Sequence, residues 1–160
     1  MFLGVSSKTG KQIMNALEAS HLVKETSDVP TVWGGVHASL LPVETLKNKF
    51  VDFVIVGEGE SPVLKLAQAL REKKLYEEID GLGYKKRNEF FYNPQKTFVN
   101  LDEAPEVPYN LVNIENYIEN YSFATGKPGR NIAFYTSRGC PHRCGFCYNK
   151  EFNKSKWRGE

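Results

Sequence analysis

Short apolar runs alternate along the chain with segments whose apolar residues recur at helical spacing. Phe2-Leu3-Gly4-Val5 reads as a short buried strand, and Ser6-Ser7-Lys8-Thr9-Gly10 as the polar loop after it. Ile13, Ala16, Leu17 and Ser20 then share one face of a helix. The unit repeats: Thr31-Val32-Trp33 is a strand, Gly34-Gly35-Val36-His37 a loop, and a weaker helix follows around Val43 to Asn48. Asp52 to Val56 is a third strand, ending in the loop Gly57-Glu58-Gly59-Glu60. Ser61 and Pro62 supply an N-cap and a first-turn proline for a helix to about Lys73, whose predicted apolar face is Val63, Leu64, Ala67 and Leu70.

Apolar strands alternating with helices, each strand ending in a small-residue loop, predict an α/β fold. The expected architecture is a partial doubly wound, Rossmann-like parallel sheet with helices on both faces. In such sheets ligands lie outside the carboxyl ends of the strands, where all three loops fall. From Gly81 the pattern changes. Leu82 to Lys85 and Phe90 to Tyr92 flank the polar tetrad Lys86-Arg87-Asn88-Glu89, as in a hairpin. Pro94, Pro105 and Pro108 make 93–110 an extended linker, and Tyr109 to Tyr121 reads as a short irregular helix. Gly126-Lys127-Pro128-Gly129 breaks the chain before a predicted strand, Ile132 to Thr136.

Composition narrows the function classes. Hydrophobic residues make up 41% of the 160 and charged residues 25%, the balance of a chain that can bury a core. The net charge of +2 is scattered, which gives no nucleic-acid footprint. No apolar run is long enough to span a bilayer and the N-terminus carries no signal-like core, so the expected location is cytoplasmic. The three cysteines all lie between positions 140 and 147, a crowding that suits a shared metal centre better than a disulfide framework.

Cys140-Pro141-His142-Arg143-Cys144-Gly145-Phe146-Cys147 has the spacing CxxxCxxC directly after the predicted strand. A closed four-iron four-sulfide cluster takes one thiolate per iron, so three cysteines leave one iron open for chemistry. The alternative is a zinc site of Cys140, Cys144, Cys147 and either His142 or a distant ligand, although zinc knuckles are usually paired and no second CxxC exists. The array resembles the radical S-adenosylmethionine superfamily. That resemblance implies that the open iron chelates the methionyl group of S-adenosylmethionine and that the delivered electron yields a 5'-deoxyadenosyl radical. It also implies that Phe146 lies near the adenine. Arg138-Gly139 before the loop and Tyr148-Asn149 after it are similar to members that carry a cobalamin domain.

The upstream loops extend the resemblance. Ser6, Ser7, Thr9 and Gly10, then Gly34, Gly35 and His37, then Gly57, Glu58 and Gly59 resemble the strand-end loops of cobalamin-binding domains, and are the implied corrinoid contacts. Taken singly, paired glycines are as well explained by turns, Glu58 by a solvated loop and His37 by a loop hydrogen bond. The expected organisation is a partial cobalamin-binding domain over 1–80, a hairpin and linker over 81–128, and over 129–160 the first strand and cluster loop of a partial TIM-type radical core. A complete barrel takes about 200 residues or more, so the chain is expected to be truncated at both ends and inactive alone. The resemblance implies an enzyme using cobalamin, S-adenosylmethionine and a four-iron four-sulfur cluster, fed by an electron donor such as a flavodoxin or ferredoxin. It would methylate an unreactive carbon of a small-molecule substrate, or use the corrinoid for rearrangement or cyclisation. The rival classes are a non-catalytic cofactor-binding fragment and a zinc-binding interaction protein.

Overall fold

The structure, a computed structural model, describes residues 1–87, 89–122 and 125–159. Strands β1 (Leu3–Ser6), β2 (Thr31–Gly34) and β3 (Phe53–Ile55) pair in parallel, side by side in chain order. Helix α1 (Gln12–Thr26) connects the first two. The short helices α2 (Gly35–Leu40) and α3 (Pro42–Leu46) connect the next two, and α4 (Glu60–Glu72) follows β3. Two antiparallel strands, β4 (Leu82–Lys86) and β5 (Glu89–Tyr92), then complete a five-stranded sheet in the order β1-β2-β3-β4-β5. The expected hairpin is therefore part of the sheet, which is mixed rather than wholly parallel. Asn88, one of the predicted polar tetrad, lies outside the described residues.

The two-residue period of the strands builds two cores. Trp33 and Val54 point to one face, where Ala16 of α1, Ala38 of α2 and Leu46 of α3 cover them. Val32, Phe53 and Ile55 point to the other, against Leu66 of α4 with Leu82 and Tyr84. Successive parallel strands step in one direction, and right-handed crossovers put α1, α2 and α3 on the same side. Only α4, which leads to an antiparallel strand, covers the opposite face. The indole N–H of buried Trp33 donates to Ser20 Oγ at 3.0 Å, which explains a polar residue on the apolar face of α1.

Several expectations are corrected. β1 is an edge strand of this sheet, with Gly4 and Ser6 exposed, rather than buried. α4 begins at Glu60 with Gly59 at its cap, so Ser61 and Pro62 sit inside the first turn, where proline removes an amide that has no intrahelical partner. Its buried stripe is Pro62, Leu66 and Ala69, flanked by Val63 and Leu70, while Leu64 is 59% exposed. Positions four and seven apart line one helix face, and the sequence set was displaced from that stripe.

The predicted helix over 109–121 is instead two 3₁₀ turns, Tyr109–Leu111 and Ile114–Tyr117, followed by strand β6 (Glu119–Ser122). Lys127–Asn131 is itself a strand, β7, paired with β6, and the predicted strand Ile132 to Thr136 is not formed. An apolar run becomes a strand only when a neighbour takes its backbone groups, and none lies beside this one among the described residues. Phe134 and Tyr135 are accordingly exposed. β8 (Ser137–Arg138), helix α5 (Asn149–Phe152) and β9 (Arg158–Gly159) end the described chain. No helix among the described residues is long and apolar enough to cross a membrane.

Candidate functional site

Because β1, β2 and β3 run parallel, their carboxyl ends bring Ser6–Gly10, Gly34–His37 and Gly57–Glu60 to one edge of the sheet. These loops are tied together. The Ser7 N–H donates to the Gly34 carbonyl and the His37 N–H to the Ser7 carbonyl, both at 3.1 Å. Ser39 Oγ donates to the Gly35 carbonyl at 2.7 Å and accepts from the Gly57 N–H at 2.9 Å. Thr9 Oγ1 lies 3.1 Å from His37 Nδ1, a hydrogen bond whose direction follows the imidazole tautomer.

The paired glycines differ. Gly35 has φ +86°, and a Cβ there would stand 2.8 Å from Ser6 Oγ and 3.0 Å from the Ser7 carbonyl oxygen. Gly34 is extended, and a Cβ on it would meet only Ile55 Cβ at 3.8 Å. The requirement for glycine therefore rests on Gly35, which lets the first two loops touch. Ser7 is buried with its hydroxyl donated to the Lys8 carbonyl, so it belongs to the scaffold. Ser6, Thr9 and Gly10 are exposed and His37 half-buried, which makes them the outward rim. Two hydroxyls and an imidazole suit the peripheral amides of a corrinoid, and backbone without side chains suits its broad edge.

Glu58 is not solvated: it is 4% exposed. Its carboxylate accepts from the Val99 N–H at 2.9 Å and pairs with Arg158, whose Nη1 lies 3.2 Å from Oε2 and whose Nη2 bonds Oε1. Arg138 Nη1 stands 3.3 Å from Oε1, and Arg138 Nη2 pairs with Glu60 at 2.6 Å. Burial by itself would raise the Glu58 carboxyl. The Arg158 hydrogen bonds, the Val99 amide, the Arg158 charge and a hydrogen bond from Arg138 outweigh it and hold the group below the ordinary glutamate value. Gln95 completes the cradle: its Oε1 accepts from the Glu58 N–H at 2.9 Å, and a Cβ on Gly57, at φ +84°, would fall on that amide. Asp80 fixes the same segment by accepting from the Lys96 and Thr97 amides.

The cysteine loop hangs from a narrow neck. β8 and β9 pair with Ser137 opposite Gly159 and Arg138 opposite Arg158. Gly139 adopts φ +87°, and a Cβ there would fall on the Lys156 carbonyl. Cys140 and Cys147 are half-buried and Cys144 exposed, all as free thiols, and the Cys147 N–H donates to the Cys144 carbonyl at 3.1 Å across Gly145 and Phe146. Phe146 is 95% exposed. Among the described residues no three His, Cys, Asp or Glu side chains converge tightly enough to hold a single metal ion. A four-iron cluster makes a different demand, since each thiolate takes a separate iron. Three free thiols spread over one open loop fit that donor set. Immediately after Cys147, α5 packs on α2, the helix that starts at Gly35.

Sequence reasoning did not assign Arg158 or Gln95 to the site, and took Arg138 only as part of a resemblance. Arg158 is a hundred positions from its partner Glu58, and no local pattern marks such a pair.

The chain is similar to known proteins along its whole length. Residues 1–67 match the B12 binding domain family. An uncharacterized methyltransferase of Pyrococcus horikoshii is 31% identical across 98% of the chain, and an anaerobic magnesium-protoporphyrin IX monomethyl ester cyclase of Synechocystis is 30% identical across 79%. The chain spans only 33% and 24% of those two proteins. In fold it follows TsrM of Kitasatospora setae, a radical S-adenosylmethionine methyltransferase solved with cobalamin and a [4Fe-4S] cluster. The TM-score is 0.70 at 19% identity, over 100% of this chain and 33% of that one. Residues 1–67 thus match the B12 binding domain family, and over its whole length the chain is similar in fold to a cobalamin- and cluster-bound radical S-adenosylmethionine methyltransferase.

Proposed function

We propose that the strand-end loops bind cobalamin and that Cys140, Cys144 and Cys147 bind a four-iron four-sulfur cluster, as parts of a radical S-adenosylmethionine methyltransferase. The observation that carries this reading is the packing of α5 on α2, which holds the cysteine loop at the sheet edge where Gly35 begins its helix. Two cofactors that act on one substrate need such neighbouring sites. Ser6, Thr9, Gly10 and His37 would contact the corrinoid. Gly34 and Gly35 would bring backbone to its edge, and Ser7, Gly57, Glu58 and Gly59 would hold the loops in shape. Phe146 would lie beside the adenine of S-adenosylmethionine. When bound, the cluster supplies the electron that cleaves S-adenosylmethionine, and the cobalamin supplies a methyl group. The segment 129–160 would open the radical core, with a flavodoxin or ferredoxin as electron donor and a small molecule as substrate. A cytoplasmic setting suits three free thiols.

A second reading, in which the corrinoid serves cyclisation instead of methylation, is favoured by the 30% identity to the Synechocystis cyclase. Both readings require the same loading. The test is anaerobic reconstitution of the chain with iron, sulfide and hydroxocobalamin, followed by metal, sulfide and corrinoid analysis. Stoichiometric zinc without sulfide, or no retained corrinoid, would refute the proposal.

A further inference from the structure

Arg138 and Arg158 face each other across the neck of the cysteine loop, one just before Cys140 and the other on the returning strand. Directly opposite residues of an antiparallel pair project to the same side, so both guanidiniums leave the neck in one direction. There they meet a single buried carboxylate, Glu58, in the loop after β3. That carboxylate is itself immobilised. The Glu58 N–H is held by Gln95, and Oε2 accepts from Val99, whose carbonyl also accepts from Arg158 Nη1 at 2.9 Å. Phe98 adds a flat partner, with the Arg158 guanidinium 4.7 Å above its ring. Within this sheet, Glu58 is the point through which both ends of the cysteine loop are tied to the strand ends.

From this juxtaposition we propose that Glu58 is a positioning residue. It clamps the two strands of the neck, and so sets where the cysteine loop stands relative to the strand-end loops. Glu58 touches no reacting atom in this scheme, and neither arginine is a ligand. The clamp acts through geometry: at Gly139 the two sides of the neck approach so closely that a Cβ would fall on the Lys156 carbonyl, and the arginines anchor this close pair to Glu58. Glu60 gives Arg138 a second carboxylate, whereas among the described residues Arg158 pairs with Glu58 alone. Arg158 should therefore be the more sensitive arm.

The mechanical part of the proposal stands independently of the cofactors, and its functional consequence rests on the reading above. Hydrogen exchange on the whole chain separates the two. In Glu58→Gln, which keeps the shape and removes the charge, exchange of 137–159 is expected to rise about tenfold to a hundredfold while β1 to β3 stay protected. A uniform rise across sheet and neck would show that Glu58 serves overall stability alone, and no change would show that the clamp does not hold the loop. Either result overturns the proposal. If Glu58→Gln does not fold, Arg158→Met and Arg138→Gln carry the same test, with Arg158→Met expected to free the neck more and Arg158→Lys to restore part of the protection. A larger effect from Arg138 would overturn the assignment of the principal arm.

The second measurement is microwave power saturation of the cob(II)alamin signal in reconstituted protein with the cluster reduced. Relaxation enhancement by the nearby cluster is expected in the wild type and reduced in Glu58→Gln, at unchanged iron and corrinoid content. Unchanged enhancement together with a freed neck would overturn the positioning role. Failure of either cofactor to load, with the exchange result intact, would count against the proposed function and leave the clamp standing.

Discussion

Alanine at each of the paired glycines should have opposite consequences, because the two occupy different backbone regions. Gly35→Ala places a Cβ on a residue at φ +86°, within 2.8 Å of Ser6 Oγ and 3.0 Å of the Ser7 carbonyl oxygen. The left-handed backbone costs a non-glycine residue about 1–2 kcal/mol, and forcing an extra carbon against packed backbone about 1–3 more. The expected loss is therefore about 2–5 kcal/mol, unless the Ser6–Ser7 loop yields and lowers the cost. Gly34→Ala meets only Ile55 Cβ at 3.8 Å on extended backbone, and by restricting the unfolded chain should be neutral or stabilising by about 0.5 kcal/mol. With a urea slope of about 2 kcal/mol per M, the midpoint of Gly35→Ala falls by about 1–2.5 M while that of Gly34→Ala holds or rises slightly. Corrinoid affinity should follow the same order, weakening about tenfold in Gly35→Ala, equivalent to about 1.4 kcal/mol, because the Ser6–Gly10 loop is displaced. Equal midpoints for the two variants, or the reverse order, would refute the assignment of the close approach to Gly35.

Three further outcomes follow from particular contacts. Ser20→Ala strands the buried indole N–H of Trp33, and should cost about 1–3 kcal/mol by urea unfolding, with Ser20→Thr milder. Leu66→Ala opens a cavity beneath α4, and should cost about 2–5 kcal/mol, whereas exposed Leu64→Ala should change stability by under about 0.5 kcal/mol. The Glu58 carboxyl is held below its ordinary value in the folded chain, so folding releases protons there. Its contribution is fully present above the ordinary carboxylate range and fades as pH falls through the lowered folded value, so the urea midpoints of wild type and Glu58→Gln should converge on acidification. A gap between them that stays constant from neutral to acid pH would contradict that linkage.

The parts of the fold that depend on local pattern were legible. Continuous apolar runs at Thr31-Val32-Trp33 and Asp52 to Val56 located the central strands, and the small residues after each strand located the edge where the loops gather. The cysteine loop was visible from spacing alone. What escaped were features decided by distant partners. Ile132 to Thr136 has a strand composition but no neighbour to pair with among the described residues, while Lys127–Asn131, with its proline and glycine, pairs because β6 lies beside it. The helical stripe of α4 was displaced because Leu64 and Ala67 look as apolar as Leu66 and Ala69 in sequence, and only the sheet decides which face is covered. Glu58 could be read as a solvated loop residue because the arginines that bury its charge lie 80 and 100 positions away.

The central claim is that the rim formed by Ser6, Thr9, Gly10 and His37 receives a corrinoid, and the most direct test is a hydroxocobalamin titration of Thr9→Trp. Thr9 is exposed and bonds His37 across the rim, so an indole there occupies ligand space and leaves both cores intact. The account predicts that wild type takes up cobalamin stoichiometrically and that Thr9→Trp binds it at least about tenfold more weakly, a change of about 1.4 kcal/mol, with an unchanged urea midpoint. Equal binding by the two proteins, or none by either, would contradict it.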